Sequence, residues 1–322
     1  MTENSTTEDS RAIDELIAER AAAIGGEFET RRVEAVSLMN KYRLYAGIAG
    51  GGALALLLVG AIFFEGLDYG EALMLAIGIT VIGLAIAQTP GRRYKSSIKN
   101  EAFNRFVQSF GPEFQYRARG NIPMDFLRRS SLIPHHDKRR FEDYITGVWG
   151  GVRFSLMEAK LVDVRGSGKN KRDVTVFDGL FAVFEHKKDF SGRMIIRRDM
   201  GAIGNWFGDA FTKLERVGLE DPRFEKEFEV YSEDQIASRM LLTTTFMERL
   251  YHLAKDLGDG RMQAAFYEGK FLAMIPCRKN RFEPSLTLQP GAARRDLERF
   301  AEELKDIIQV ADRLRLGEDL SV

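Results

Sequence analysis

The sequence predicts a two-helix transmembrane hairpin followed by a cytoplasmic α+β domain with a mostly antiparallel β-sheet. Three observations predict it. Two long apolar runs lie in a window, between Arg43 and Arg92, that contains no lysine or arginine. Basic residues gather on the outer flanks of that window. Beyond it, short segments rich in β-branched and aromatic residues alternate with helical patterns.

The first run, Leu44 to Phe64, carries no charged residue. As a helix it would be about 31 Å long at about 1.5 Å per residue, the thickness of a bilayer's hydrocarbon core. The second runs from Ala72 to Thr89 and is slightly shorter; modest thinning accommodates it. EGLDYGE (65–71) between them can only be a tight polar turn. A buried hairpin in a soluble protein is the competing reading, but core helices rarely run so long without a charge. A cleavable signal peptide would start earlier, be shorter and lack a second span. Arg31, Arg32, Lys41 and Arg43 precede the first span, and Arg92, Arg93, Lys95 and Lys99 follow the second. Lys and Arg are retained on the cytoplasmic side, so both termini are expected there, with the acidic turn outside. Tyr42, Tyr45, Tyr69 and Tyr94 sit near the span ends, where amphipathic rings favour the interface.

Four segments follow from this: an acidic amphipathic helical arm (1–43), the hairpin (44–89, with spans 44–64 and 72–89), a cytoplasmic α+β domain (90–290), and a C-terminal amphipathic helix and tail (291–322). In the arm, residues 1–8 read as disordered. A helix from about Ser10 carries Ile13, Leu16, Ile17 and Ile24 at helical spacing. Gly25-Gly26 is expected to break it, and a second helix starts near Glu27 and enters the membrane. After the hairpin, Tyr94 to Phe110 reads as a helix with Ile98, Phe103, Phe106 and Val107 on one side. Strand patterns follow at 144–164, 174–186, 193–198, 228–232, 262–268 and 270–276, with a turn at Glu268-Gly269-Lys270. RGSGKNKRD (165–173) reads as a strand-connecting loop, and an irregular aromatic stretch surrounds Asn205-Trp206-Phe207. Helical patterns return at Asp234–Leu241 and Thr245–Leu257. From Ala292 to Leu316, Leu297, Phe300, Leu304, Ile307, Ile308, Ala311 and Leu314 share one face.

Composition narrows the function classes. The formal net charge is zero, so no basic field points to nucleic acid. The single cysteine, Cys277, excludes an internal disulfide and a multi-cysteine zinc site. A mean hydropathy of -0.23 is too polar for a multi-span transporter, and neither span carries an ionisable residue to form an ion path.

The stretch DPRFEKEFEVYSEDQIASRMLLTTTFMERL (221–250), the AAFYEGKFLAMI hairpin and FEPSL (282–286) resemble the bacterial family catalogued as domain of unknown function 3137. SSLIP (130–134), EDYITG (142–147), VRFSLMEA (152–159) and FDGLFAVFE (177–185) match that family's order and spacing. The resemblance covers about 94 to 290 and includes a preceding membrane hairpin; the arm and the C-terminal helix fall outside it. It implies an integral protein of the bacterial cytoplasmic membrane with a cytoplasmic α+β domain, and it carries over no catalytic residue. Its matched positions Phe224, Phe228, Val230, Tyr231, Arg239, Phe246 and Met247 read as core and hairpin packing.

Candidate chemistry is sparse. RGSGKNKR lacks the glycine and the Ser/Thr of a phosphate-binding loop, having Asp163 and Asn170 there. His135-His136-Asp137 could begin a metal site, but no second His or Cys cluster follows, and His186 and His252 are isolated in sequence. The catalytic candidates are Asp143 and Asp234, from the pairs Glu142-Asp143 and Glu233-Asp234; Asp234 also suits the start of a helix. Cys277 has no local base. No cofactor or metal is expected. Arg92, Arg93, Lys95 and Lys99 form a lipid-facing basic flank, and Gly47 and Gly51 give a small-residue face for helix packing. The reading is a membrane-anchored interaction or scaffold protein whose partners are the bilayer, other proteins and a second copy of itself. The alternatives are an enzyme of unrecognised type and a lipid or small-ligand sensor.

Overall fold

The computed structural model describes residues 2–63, 69–186, 190, 192–198, 214–257, 261–277, 282–287, 289–314 and 316. Most of the acidic turn, the Asn205-Trp206-Phe207 stretch and the basic segment 278–281 lie outside the described residues. Two compact units are present, one formed by residues 1–106 and 283–299, the other by 107–282 and 300–322.

The first unit is helical. Helix α1 runs unbroken from Thr2 to Phe63, so the disorder expected at 1–8 is corrected for the described residues 2–8, and so is the break at Gly25-Gly26. A glycine costs an exposed helix interior only about 1 kcal/mol, and Gly25 has a tertiary reason to be there. A Cβ at that position would lie 2.7 Å from the Cα of Arg294, so only glycine admits the C-terminal segment so closely. The buried stripe of the arm is Ile17, Ala21, Gly25, Phe28, Arg32, Ala35 and Met39, at spacings of three and four. The arm thus packs within its own chain, against residues of 283–299 and against Gly91.

Helix α2 (Tyr69–Ala87) packs on the apolar half of α1. The contact uses small residues, but not Gly47 and Gly51, where an added Cβ would meet nothing within 4 Å. The close approaches are one residue earlier on the helix: Gly50 against Thr80, and Ala46 against Gly83. The Thr80 hydroxyl donates to the Ala76 carbonyl at 2.9 Å, which satisfies it inside an apolar helix. Gly50→Leu is therefore expected to cost about 2 kcal/mol through overpacking, whereas Gly47→Leu should be near neutral. Thermal unfolding of the full chain in detergent decides it; equal losses for the two would refute this register.

A turn at Gln88 leads to α3 (Thr89–Ser97), whose first turn holds Pro90 where its missing N–H costs nothing. A π-helical turn (Ile98–Phe103) and α4 (Asn104–Gln108) follow, with Ile98, Phe103, Phe106 and Val107 all buried as their spacing predicts.

Among the described residues the second unit is an α+β fold around one sheet of nine strands, every pairing antiparallel. The strands are β1 (Gln115–Arg117), β2 (Lys138–Trp149), β3 (Val152–Arg165), β4 (Arg172–Glu185), β5 (Arg193–Arg198), β6 (Glu215–Arg216), β7 (Phe228–Ser232), β8 (Gln263–Tyr267) and β9 (Lys270–Pro276). Their order across the sheet is β1-β2-β3-β4-β9-β8-β5-β7-β6. The 144–164 stretch is two strands, because Gly150 and Gly151 both adopt positive φ and make the two-residue turn between Trp149 and Val152. Glu268-Gly269 does the same between β8 and β9. Helices α5 (Met124–Arg129) and α6 (Pro222–Glu227) have no counterpart in the sequence reading; α6 is started by Asp221, whose carboxylate accepts from Arg223 and Phe224 N–H. Helices α7 (Gln235–Leu241), α8 (Thr244–Asp256) and α9 (Ala292–Leu314) lie close to their expected positions.

Strand β4 reads as a continuous apolar run because both faces of the sheet centre are covered. On one face Phe181, Met157 and Leu272 cluster with Phe126 and Leu127 of α5. On the other, rings of Phe154, Phe184, Phe271 and Phe266 follow one another at centroid distances of 5.0–6.4 Å, ending on Phe246 of α8. The part of α9 in this unit is fixed by Phe300 on Tyr116 and by the Trp149 indole donating to Asp312 at 2.6 Å.

Candidate functional site

The chemistry-bearing residues of the first unit collect where the two apolar helices end. A groove of about 500 Å³ opens there. Its walls come from α1 (Arg31, Glu34, Ala35, Leu38, Tyr42), the last turn of α2 (Ile86) and the start of α3 (Thr89, Pro90, Arg93, Tyr94, Ser97). The helical period puts Arg31, Ala35, Leu38 and Tyr42 on one side of α1, and the turn at Gln88 brings α3 across from them.

The charges around it are unequal in availability. The Arg31 guanidinium donates to Glu101 at 2.7 Å and to Ser97 at 3.2 Å, with Glu27 at 3.5 Å. These contacts hold the Glu101 carboxyl below its usual range. Lys95 and Lys99 both turn to Glu283, at 2.5 and 3.3 Å, and burial notwithstanding, the two ammonium groups keep that carboxyl low. Arg92 donates to Gln88 at 3.3 Å. Arg93 and Glu34 make no hydrogen bond or ion pair with the described residues, although both line the groove. Of the four flanking basic residues, then, Arg92 and Arg93 point outward and Lys95 and Lys99 serve the unit's own packing.

Behind the groove lies a polar cluster that sequence reasoning missed. Arg32 is fully buried. Its fork meets Glu29 at 2.6 and 3.1 Å and the Gln289 carbonyl at 3.0 Å. Glu29 also accepts the Gly291 and Ala293 N–H groups at 2.8 and 3.1 Å, capping α9 from a different helix. The Arg32 hydrogen bond, aided by those two amides and opposed by burial, lowers the Glu29 carboxyl to about 2. The buried Tyr94 hydroxyl, without a partner among the described residues, is pushed up by burial and then by the Asp296 charge. Nothing local marks Arg32: it reads as one more basic residue in the flank of a span.

In the second unit the carboxylate candidates are far apart. Asp143 is fully buried at a bulge in β2, with φ +51°, and accepts a hydrogen bond from the Tyr116 hydroxyl. Burial first, and then the Asp143 charge, drive the Tyr116 hydroxyl far above its ordinary range. Asp234 caps α7, its carboxylate accepting from Ile236 and Ala237 N–H at 2.9 Å each. Six strand spacings separate β2 from β7, about 29 Å at about 4.8 Å each, so the two carboxylates share no site. Glu142 and Glu233 are engaged by Arg140 and Arg193 at 2.7 and 2.9 Å.

The β2–β3 pairing brings Asp163 to His135 and Asp137, with one ligand atom of each within 4.8 Å of the others. His135 and Asp163 are 3.3 Å apart, but Asp163 also binds Arg165 at 2.9 Å and Asp137 accepts the Val164 N–H at 2.7 Å. His136 turns instead to the Pro134 carbonyl. The Gly-Lys loop is a β3–β4 hairpin connection with a short 3-10 turn at Gly168–Asn170, and no phosphate-loop helix follows it. Cys277 is half-buried, its N–H bound to the Asp178 carbonyl.

Among solved structures, the crystal structure of the mycobacterial trehalose monomycolate transport factor A, TtfA, is similar at 15% sequence identity and a TM-score of 0.32, over 64% of this chain and 97% of that one. No curated protein matches. The family match begins at residue 175, later than the motifs suggest, and continues to 316, so it takes in α9, which the sequence reading left outside. Of the shared positions, Phe224, Phe228, Val230, Phe246 and Met247 are buried and Arg239 is exposed. The family recognised from the motifs is the one found: residues 175–316 match the family described as Protein of unknown function (DUF3137).

Proposed function

We propose that the chain is an integral membrane protein, α1 and α2 forming a transmembrane hairpin with both termini in the cytoplasm, and that it serves there as an interaction or scaffold module. One observation carries this reading. The large apolar side chains of both helices face outward: Leu56 is 74% exposed, Met74 78% and Leu75 66%. Only 11% of either apolar window is buried. An apolar surface of that extent needs a cover, while the contact between the helices is left to Ala46, Gly50, Thr80 and Gly83. That division, small residues inward and large apolar ones outward, suits helices whose solvent is lipid.

The expected result is that the full chain stays in the membrane pellet through alkaline carbonate and is released by detergent. An Asp68→Cys thiol should react with a membrane-impermeant maleimide on intact cells, and Cys277 only after lysis. Carbonate release would overturn the anchor, and the opposite labelling pattern would overturn the orientation. The scaffold role predicts a stoichiometric protein partner on gentle solubilisation.

A further inference from the structure

We propose that the groove at the foot of the hairpin holds one zwitterionic phospholipid, with its phosphate on Arg93, its ammonium on Glu34 and an acyl chain along Leu38 and Ile86. This rests on the membrane reading above. In that setting the groove lies at head-group depth, since Tyr42 stands two residues before the first charge-free run and Ile86, Thr89 and Pro90 lie at the end of the second.

The chemistry of the walls matches an amphiphile. Ala35, Leu38, Ile86 and Pro90 supply an apolar side, while Arg93 and Thr89 supply donors. The distribution of charge selects the head group. Arg31, Lys95 and Lys99 are each ion-paired by carboxylates of this unit, which leaves them little call for an outside anion. Arg93 and Glu34 line the same groove, carry opposite charge and are not joined to each other. A guanidinium suits a phosphate geometrically. A carboxylate in the same groove opposes a purely anionic head group and favours one that also carries an ammonium, as a phosphoethanolamine does. A free phosphate ion would meet the same arginine but leave the apolar wall and Glu34 unused.

The test is native mass spectrometry of the full chain in mild detergent, titrated separately with phosphatidylethanolamine, phosphatidylglycerol and the soluble head group glycerophosphoethanolamine. One phosphatidylethanolamine per chain is expected, retained in preference to phosphatidylglycerol, with no retention of the soluble head group. Arg93→Gln should weaken retention about tenfold, the scale of one lost charge-assisted contact. Glu34→Gln should reverse the preference toward phosphatidylglycerol. Lys41→Gln removes the same charge as Arg93→Gln from outside the groove and should change nothing. Equal losses for Lys41→Gln and Arg93→Gln, or equal retention of the two lipids by the unsubstituted chain, would overturn the proposal; so would binding of the soluble head group as tightly as the lipid. Carbonate extraction separates the two failures. A chain that resists carbonate but shows no selective adduct loses the groove, and a chain that carbonate releases loses the anchor itself.

Discussion

Arg32→Ala should destabilise the first unit by about 3–5 kcal/mol, the usual cost of removing one partner of a buried ion pair. The arginine is fully buried and serves both Glu29 and the Gln289 carbonyl, so its loss strands a carboxylate and a carbonyl together. The damage should appear first at the start of α9, because Glu29 is what accepts the Gly291 and Ala293 amides. Hydrogen exchange of the full chain in detergent reads this directly: protection at Gly291–Ala293 should fall while that of β3 and β4 stays. Uniform loss across the sheet would contradict the assignment. Lysine should rescue poorly, since it cannot present the two-pronged fork that Glu29 meets.

The same pair sets a pH dependence. Glu29 has a folded value of about 2 against an ordinary 4.5. A depressed carboxyl stabilises the folded state above its unfolded value, so the contribution is whole above about pH 4.5 and fades as pH falls toward 2. In Arg32→Ala the main cause of the depression is gone, and the acid-induced loss of α9 protection should move to higher pH.

Gly179→Val should be at least as severe in the second unit, about 3 kcal/mol or more. Gly179 lies on β4 opposite Pro276, where an added Cβ would come within 2.9 Å of both Pro276 Cα and the Cys277 nitrogen. Those are backbone atoms of the neighbouring strand and cannot swing aside, so the β4–β9 pairing must open. Gly218→Ala, where a Cβ meets nothing within 4 Å, is the control. Thermal unfolding followed by circular dichroism should show a large drop for the first and little change for the second. A Gly179 variant that melts with the unsubstituted chain would refute the strand register.

What the sequence displayed was whatever depends on near neighbours. β5, β7 and β9 stand where β-branched and aromatic residues cluster, and α9 where its apolar stripe predicts it. What it concealed depends on distant partners. Gly25-Gly26 reads as a helix stop until Arg294 is seen against it. The glycine of α1 that meets α2 is Gly50 rather than Gly47 or Gly51, because which face of α1 meets α2 depends on Thr80 and Gly83 of the facing helix. Arg93 differs from Lys95 and Lys99 only through Glu283, a residue 188 positions from Lys95. The groove combines near-span residues that were each visible, but their convergence required the turn at Gln88.

The cap that Glu29 places on α9 joins residues 262 and 264 positions apart. During synthesis at about 5–20 residues per second, the arm of α1 emerges roughly 13–50 s before the segment that covers it. Through that interval Ala21, Gly25, Phe28 and Arg32 have no lid from 283–299. The helical unit therefore cannot be completed until 283–299 is made, although its first helix is the first to be made. Quality control of the nascent chain would meet an uncovered amphipathic arm as the normal intermediate, and a chain that stops short of Glu283 would keep it uncovered.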